Sequence, residues 1–139
     1  MQQALEAHGR LASDKGRPIR AAHEAIKATM SRNALIIRTE AGLAEAAAEL
    51  ARVAAQLEDG AYKVGDARER RLAQEARNLV DTGLMMVAAA RLRKETRGSH
   101  YRQDAPAPDP AWDRSIRIDR AEDGPRLTPV RLADLGDRG

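Results

Sequence analysis

Apolar positions along this chain fall into three stretches of helical spacing, followed by a stretch of a different kind. Ile19, Ala22, Ile26, Met30, Ala34 and Ile37 recur at intervals of three and four, one face of a helix ending near Arg38. Pro18 stands at its start, where the missing N–H of a first helical residue is tolerated. Thr39 is placed to cap a second helix, along which Leu43, Ala46, Leu50, Val53 and Leu57 form a narrow seam closed by Glu58-Asp59-Gly60. Asp66 and Glu69 have capping-box spacing for a third helix, predicted over 66–96. That helix is apolar on two faces, with Leu72, Leu79, Met86 and Ala90 on one and Ala76, Val80, Leu84 and Val87 beside it. A stripe so wide belongs to a helix with two partners. Gly98 follows, where a left-handed residue commonly ends a helix. The first fifteen residues, interrupted by Gly9 and closed by Gly16, have room for a short helix only.

Beyond Gly98 the pattern changes. Pro106, Pro108 and Pro110 force an extended path. Ile116 and Ile118 then alternate with charged residues, Asp123-Gly124 offers a turn, and Leu127, Val130 and Leu132 follow. This is the pattern of a short β-hairpin, which is marginal in isolation and needs a surface to lie on. The expectation is an all-α fold: a three-helix, largely antiparallel bundle over 18–98, preceded by an N-terminal segment over 1–17 and followed by an extended, proline-rich tail over 99–139.

Composition supports helices. Of the 139 residues 28 are alanine, and Phe is absent, with one Trp and two Tyr, which suits close helix packing and argues against a β-sandwich or barrel. The absence of cysteine excludes a disulfide scaffold, a thiol nucleophile and a zinc finger. The formal charge of +3 comes from 24 basic and 21 acidic residues that are interleaved, as at Arg68, Glu69, Arg70, Arg71 and Glu75. A nucleic-acid partner calls for a one-signed stripe with aromatic platforms, and this chain has neither. The longest apolar run, Leu84 to Ala90, is too short to span a bilayer, and Met1 to Glu6 lacks an export signal. No transmembrane segment and a cytoplasmic location, either free or on the cytoplasmic side of a membrane complex, are expected.

Catalytic motifs are missing. His23-Glu24 begins like a zinc-protease helix, but Lys27 stands where the second ligand belongs. No glycine-rich dinucleotide or phosphate loop occurs, and the serines lack a nucleophile elbow. No catalytic, cofactor-binding or metal-ligating residue is therefore assigned. The densest polar stretch is Arg93 to Pro106, with Glu95, Arg97, Gly98, His100, Tyr101, Arg102 and Asp104 as candidate docking residues. Arg97 is expected to cap the long helix or pair with Glu95 or Asp104, leaving His100 and Arg102 free to dock.

The run Glu95-Thr96-Arg97-Gly98-Ser99-His100-Tyr101-Arg102-x-Asp104-x-Pro106 resembles the E-S-R-G-x-H-x-R-x-D-x-P signature of one family. That family is the C-terminal helical domain of succinate dehydrogenase and fumarate reductase flavoprotein subunits, shared with L-aspartate oxidase. Ala76-Arg77-Asn78-Leu79-Val80 is similar to its R-N-L-L segment. Met30 to Leu43, with Ile36-Ile37-Arg38-Thr39-Glu40-x-Gly42-Leu43, resembles its M-x-x-x-x-G-I-x-R-T-x-x-G-L junction. Thr96 replaces the usual Ser, Ala105 a usual Tyr, and Ala34-Leu35 the helix-ending Gly. The resemblance implies an FAD-dependent oxidoreductase whose flavin and catalytic groups lie in other domains, so this chain is expected to carry no cofactor and to be inactive alone. It also implies a structural and docking role. The implied partners are the FAD-binding flavoprotein domain or subunit, together with an iron–sulfur subunit. The tail after Trp112 leans toward the dehydrogenase branch. The alternatives are the C-terminal domain of an L-aspartate oxidase, or an unrelated helical interaction module that self-associates through the Leu43–Leu57 seam.

Overall fold

The computed structural model describes residues 16–122 and 124–135. The short helix expected within the first fifteen residues lies outside them. Three helices form the body: α1 (Arg20–Asn33), α2 (Glu40–Glu58) and α3 (Ala67–Leu92), each packed against the other two. Six strands accompany them: β1 (Arg17–Pro18), β2 (Ile37–Arg38), β3 (Tyr62–Lys63), β4 (Tyr101–Arg102), β5 (Ser115–Ala121) and β6 (Gly124–Val130). β1 pairs with β3 and β2 with β4, both parallel, while β5 and β6 form an antiparallel hairpin.

The fold is therefore mixed α/β, and the all-α expectation is corrected. The hairpin follows the alternation of Ile116 and Ile118. The two parallel pairs join segments about 45 and 64 positions apart in sequence (Arg17 with Tyr62, Ile37 with Tyr101). Two-residue strands leave no periodicity for a sequence reading to detect.

Local chemistry sets the helix starts. Thr39 Oγ1 accepts the Gly42 N–H at 3.0 Å at the head of α2. Asp66 accepts the Glu69 N–H while Glu69 accepts that of Asp66, a complete capping box for α3. α1 begins two residues after Pro18, which belongs to β1 instead.

The seam of α2 is fully used. Leu43, Ala46, Leu50 and Val53 are wholly buried and Leu57 nearly so, which leaves this seam no surface for self-association. α3 answers with Ala73, Ala76, Val80, Gly83 and Val87, a single seam rather than two broad faces. Small residues let the helices approach closely: a Cβ on Gly83 would stand 3.1 Å from Leu50 Cδ1. Leu72, Leu84 and Ala90 pack at the margin of this core, whereas Leu79 and Met86 are exposed. α1 contributes Ala22 and Ile26, but it ends at Asn33, so Ile37 falls off its face and is exposed.

α3 ends at Leu92, four residues earlier than expected, because Arg93 turns to extended backbone. Gly98 is not its terminator. It has φ +57° at the first central position of a two-residue turn closed by mutual hydrogen bonds between Arg97 and His100 (2.9 and 3.0 Å). A positive φ there is the type II′ pattern that suits a tight hairpin.

Candidate functional site

The segment after α3 runs extended, and side chains two apart on an extended chain share a side. Arg93, Glu95 and Arg97 are consequently brought together. Glu95 is completely buried and accepts Arg93 Nη1–H at 2.6 Å and Arg97 Nε–H at 2.8 Å. Its second oxygen accepts the Asp109 backbone N–H at 2.7 Å. The hydrogen bonds from Arg97, the Asp109 amide and Arg93 outweigh burial and hold the carboxyl down at about 2. Arg93 also donates to the carbonyls of Trp112 and Arg114 and lies 5.1 Å from the centre of the Trp112 ring, which ties the start of the hairpin to the end of α3.

Arg102 and Asp104 repeat the alternation. The Arg102 guanidinium, 2 % exposed, forms a fork with both Asp104 oxygens, each at 2.7 Å. Its third nitrogen donates to the Ala90 carbonyl at 2.9 Å, one of the orphan acceptors at the end of α3. Asp104 in turn accepts the Glu40 N–H at 3.0 Å, the first amide of α2. This pair therefore staples the negative end of one helix dipole to the positive end of another. Its environment holds Asp104 well below the usual carboxylate range, through the Arg102 hydrogen bonds first, and raises Arg102. Glu40 closes the network through Arg91 at 2.6 Å.

His100 is fixed on both sides. Arg38 Nη1 stands 2.8 Å from Nδ1, and a guanidinium can only donate, so Nδ1 accepts and Nε2–H donates to the Arg93 carbonyl at 3.0 Å. Burial, followed by the positive charges of Arg38, Arg102 and Arg93, lowers its pKa and favours the neutral ring. Arg38 itself caps α1 by donating to the Ala34 carbonyl at 2.7 Å. Thr96, standing where the family has Ser, uses its hydroxyl fully: it accepts the Arg102 N–H at 2.9 Å and donates to the Ala105 carbonyl at 3.0 Å.

Most candidate residues thus meet in one network built on the buried Glu95 and Arg102, to which the exposed Arg97 and Asp104 are committed from the surface. Arg97 pairs with Glu95, as one of its two expected partners. The expectation that Arg102 is free to dock is corrected: it is among the most buried side chains of the domain. His100 is half-buried and committed on both nitrogens, while Tyr101 projects outward at 39 % exposure. Sequence reasoning gave no role to Arg93, Thr96, Asp109 or Glu40. The Arg-x-Glu-x-Arg spacing at 93, 95 and 97 was the available signal for the first. Among the described residues no group of three or more His, Asp or Glu could hold a metal, and no helix is long and apolar enough to cross a membrane.

Known proteins resemble this chain in sequence and in fold. The sequence profile of the family described as "Fumarate reductase flavoprotein C-term" matches residues 23–131. L-aspartate oxidase of Streptomyces coelicolor is 34% identical over 108 residues, covering 76% of this chain and 17% of the relative. One component of the fumarate reductase (CoM/CoB) of Methanothermobacter marburgensis is 44% identical over 48 residues, covering 34% of this chain and 9% of the relative. Among solved structures, E. coli quinol fumarate reductase FrdA superposes with a TM-score of 0.76 at 19% identity, over 94% of this chain and 24% of that one. Mycobacterium smegmatis Sdh1 gives 0.75 at 23% identity, over 93% and 23%. The chain spans a quarter or less of the length of these relatives. With the profile covering most of the sequence and the signature assembled in space, the chain belongs to the family of C-terminal domains of fumarate reductase and succinate dehydrogenase flavoproteins, with L-aspartate oxidases among its relatives.

Proposed function

We propose that this domain is the structural module of an FAD-dependent oxidoreductase of this family, docked on the flavin-binding part and contributing no group to hydride transfer. The observation that carries this reading is the inward commitment of the signature. Glu95, His100, Arg102 and Asp104 spend their hydrogen bonds joining helix ends to one another, which is scaffold work.

The described residues do not fit FAD. A flavin pyrophosphate needs free amides at a helix N-terminus behind a glycine-rich turn. Here the head of α2 receives the Asp104 carboxylate and that of α3 the Asp66 carboxylate, which would repel phosphate. α1 carries no acidic cap but follows Gly16-Arg17-Pro18-Ile19, which is not a glycine-rich turn. Under this reading the flavin, the substrate carboxylate contacts and the electron acceptor all belong to other parts of the protein.

The test pairs this chain with the flavin-binding part of S. coelicolor L-aspartate oxidase, cut before the segment that matches. Sedimentation velocity should show a one-to-one complex, while the chain alone leaves FAD anisotropy unchanged. Stoichiometric micromolar binding of FAD by the chain alone, or no complex, would overturn the proposal.

A further inference from the structure

The two strands that carry signature arginines, β2 and β4, run parallel to one another. β2 and β4 pair in register, Ile37 beside Tyr101 and Arg38 beside Arg102. Successive side chains of a strand point to opposite sides. Anchoring Arg102 on Ala90 and Asp104, and Arg38 on Ala34 and His100, therefore turns Tyr101 and Ile37 outward side by side. Leu35 and Ile36, which lead into β2, are also exposed, at 63 % and 70 %, with Ile37 at 56 %. Among the described residues the other large exposed apolar side chains are Leu79 and Met86, two turns apart on α3 with Met86 beside Ala89, Ala90 and Ile116, and Ile118 on β5; none forms a sequential run like 35–37.

A run of three exposed aliphatic side chains flanked by a tyrosine is costly to leave in water and matches the core of a protein–protein contact. We infer that the strip Leu35–Ile36–Ile37–Tyr101 is the face by which this domain docks on the flavin-binding part, an apolar contact held in shape by the buried polar network behind it. This rests on the proposed docking role and names its surface and chemistry. The occupant follows from the relatives. The same fold makes up 23–24% of solved chains in this family, so a much larger body accompanies it there. The partner surface is accordingly apolar, with tyrosine as the strongest single anchor.

The test repeats the sedimentation titration against the same flavin-binding part with the full chain carrying Ile36→Ser, Ile37→Ser and Tyr101→Ser together. Leu79→Ser, a single exposed position in the middle of α3, is the control. The triple variant should melt within about 2 °C of the parent, since exposed positions contribute little to the fold. Its affinity should fall about 100-fold or more, as for the loss of a contact centre, with the control unchanged. Carbene footprinting of the unmodified chain should show Leu35–Ile37 and Tyr101 protected in the complex, a readout that does not depend on how the variant folds. Binding by the triple variant within about threefold of the parent, or an unprotected strip in a formed complex, overturns this inference and leaves the docking role standing. No complex with the parent overturns both. A parent dimer that the triple variant abolishes, with partner binding retained, assigns the strip to self-association and also overturns the inference.

Discussion

Replacing Arg102 by alanine removes the most heavily used side chain of the domain. In the folded protein it is 2 % exposed, forks to Asp104 at 2.7 Å on both arms and donates to the Ala90 carbonyl at 2.9 Å. Truncation leaves Asp104 facing only the Glu40 amide and returns the α3 carbonyl to its orphan state. Breaking a buried pair by removing one partner costs about 3–5 kcal/mol. Because Asp104 is 35% exposed in its side chain, water partly compensates, and the lower end of that range is expected. For a domain of this length that corresponds to a fall in Tm of roughly 10–15 °C, a large part of a typical total stability of about 5–15 kcal/mol. Arg102→Lys should recover little, since an ammonium cannot reproduce the fork. Thermal melts and urea titrations of the two variants beside the parent give the answer. A side chain held outward for docking would contribute only about 0–1 kcal/mol. A Tm within about 3 °C of the parent would therefore refute the staple.

Four further outcomes follow from the same structure. Glu95 sits at about 2 against an ordinary 4.5, so its stabilising effect is complete above 4.5 and is lost as pH falls through 2; melts from pH 5 to 2 should decline more steeply for the parent than for Glu95→Gln, with Asp104 supplying the residual slope. His100, also depressed, contributes fully above its unfolded value of about 6.5 and less below it, so the decline in Tm from pH 7 to 5 should shrink in His100→Gln. Val80→Asp, at 1 % exposure, should unfold the domain by burying an unpaired charge, whereas Leu79→Asp, at 41 %, should change its stability by about 0.5 kcal/mol or less; equal melts would place the α3 seam wrongly. Gly98→Ala meets no atom within 4 Å, so its expected cost of about 1–2 kcal/mol is purely that of a positive φ, and an unchanged Tm would argue against the turn.

The parts of this fold legible in the sequence are those written in short range. Helical spacing located α1, α2 and α3, and Thr39, Asp66 and Glu69 announced the starts of the latter two, because capping involves residues three apart, whereas Pro18, read as the start of α1, lies in β1. The hairpin was visible in the alternation around Asp123-Gly124. The two parallel pairs were not, since each depends on segments that meet only after the helices pack. The breadth of α3 was overestimated because leucine and methionine at 79 and 86 read as core, while alanine and glycine at 73, 76 and 83 fill that role through close approach. The signature residues were found as a group through the family resemblance, yet their direction was misjudged. Polar residues crowded into a loop resemble a docking surface on paper. Burial of Arg102 and Glu95 becomes intelligible only once Ala90, Glu40 and Asp109 are seen to offer them partners from elsewhere in the chain.

The central claim is that this domain is a scaffold module that serves a flavoprotein by docking, with its signature network turned inward. It is tested most directly by transplanting residues 16–135 into S. coelicolor L-aspartate oxidase in place of the segment that matches, and measuring flavin content and melting together. The account predicts a chimera that keeps one flavin per chain and melts in a single cooperative transition, while the same chimera with Arg102→Ala loses both. A chimera that sheds its flavin like the enzyme cut before the segment, with the transplanted domain melting separately, would contradict it.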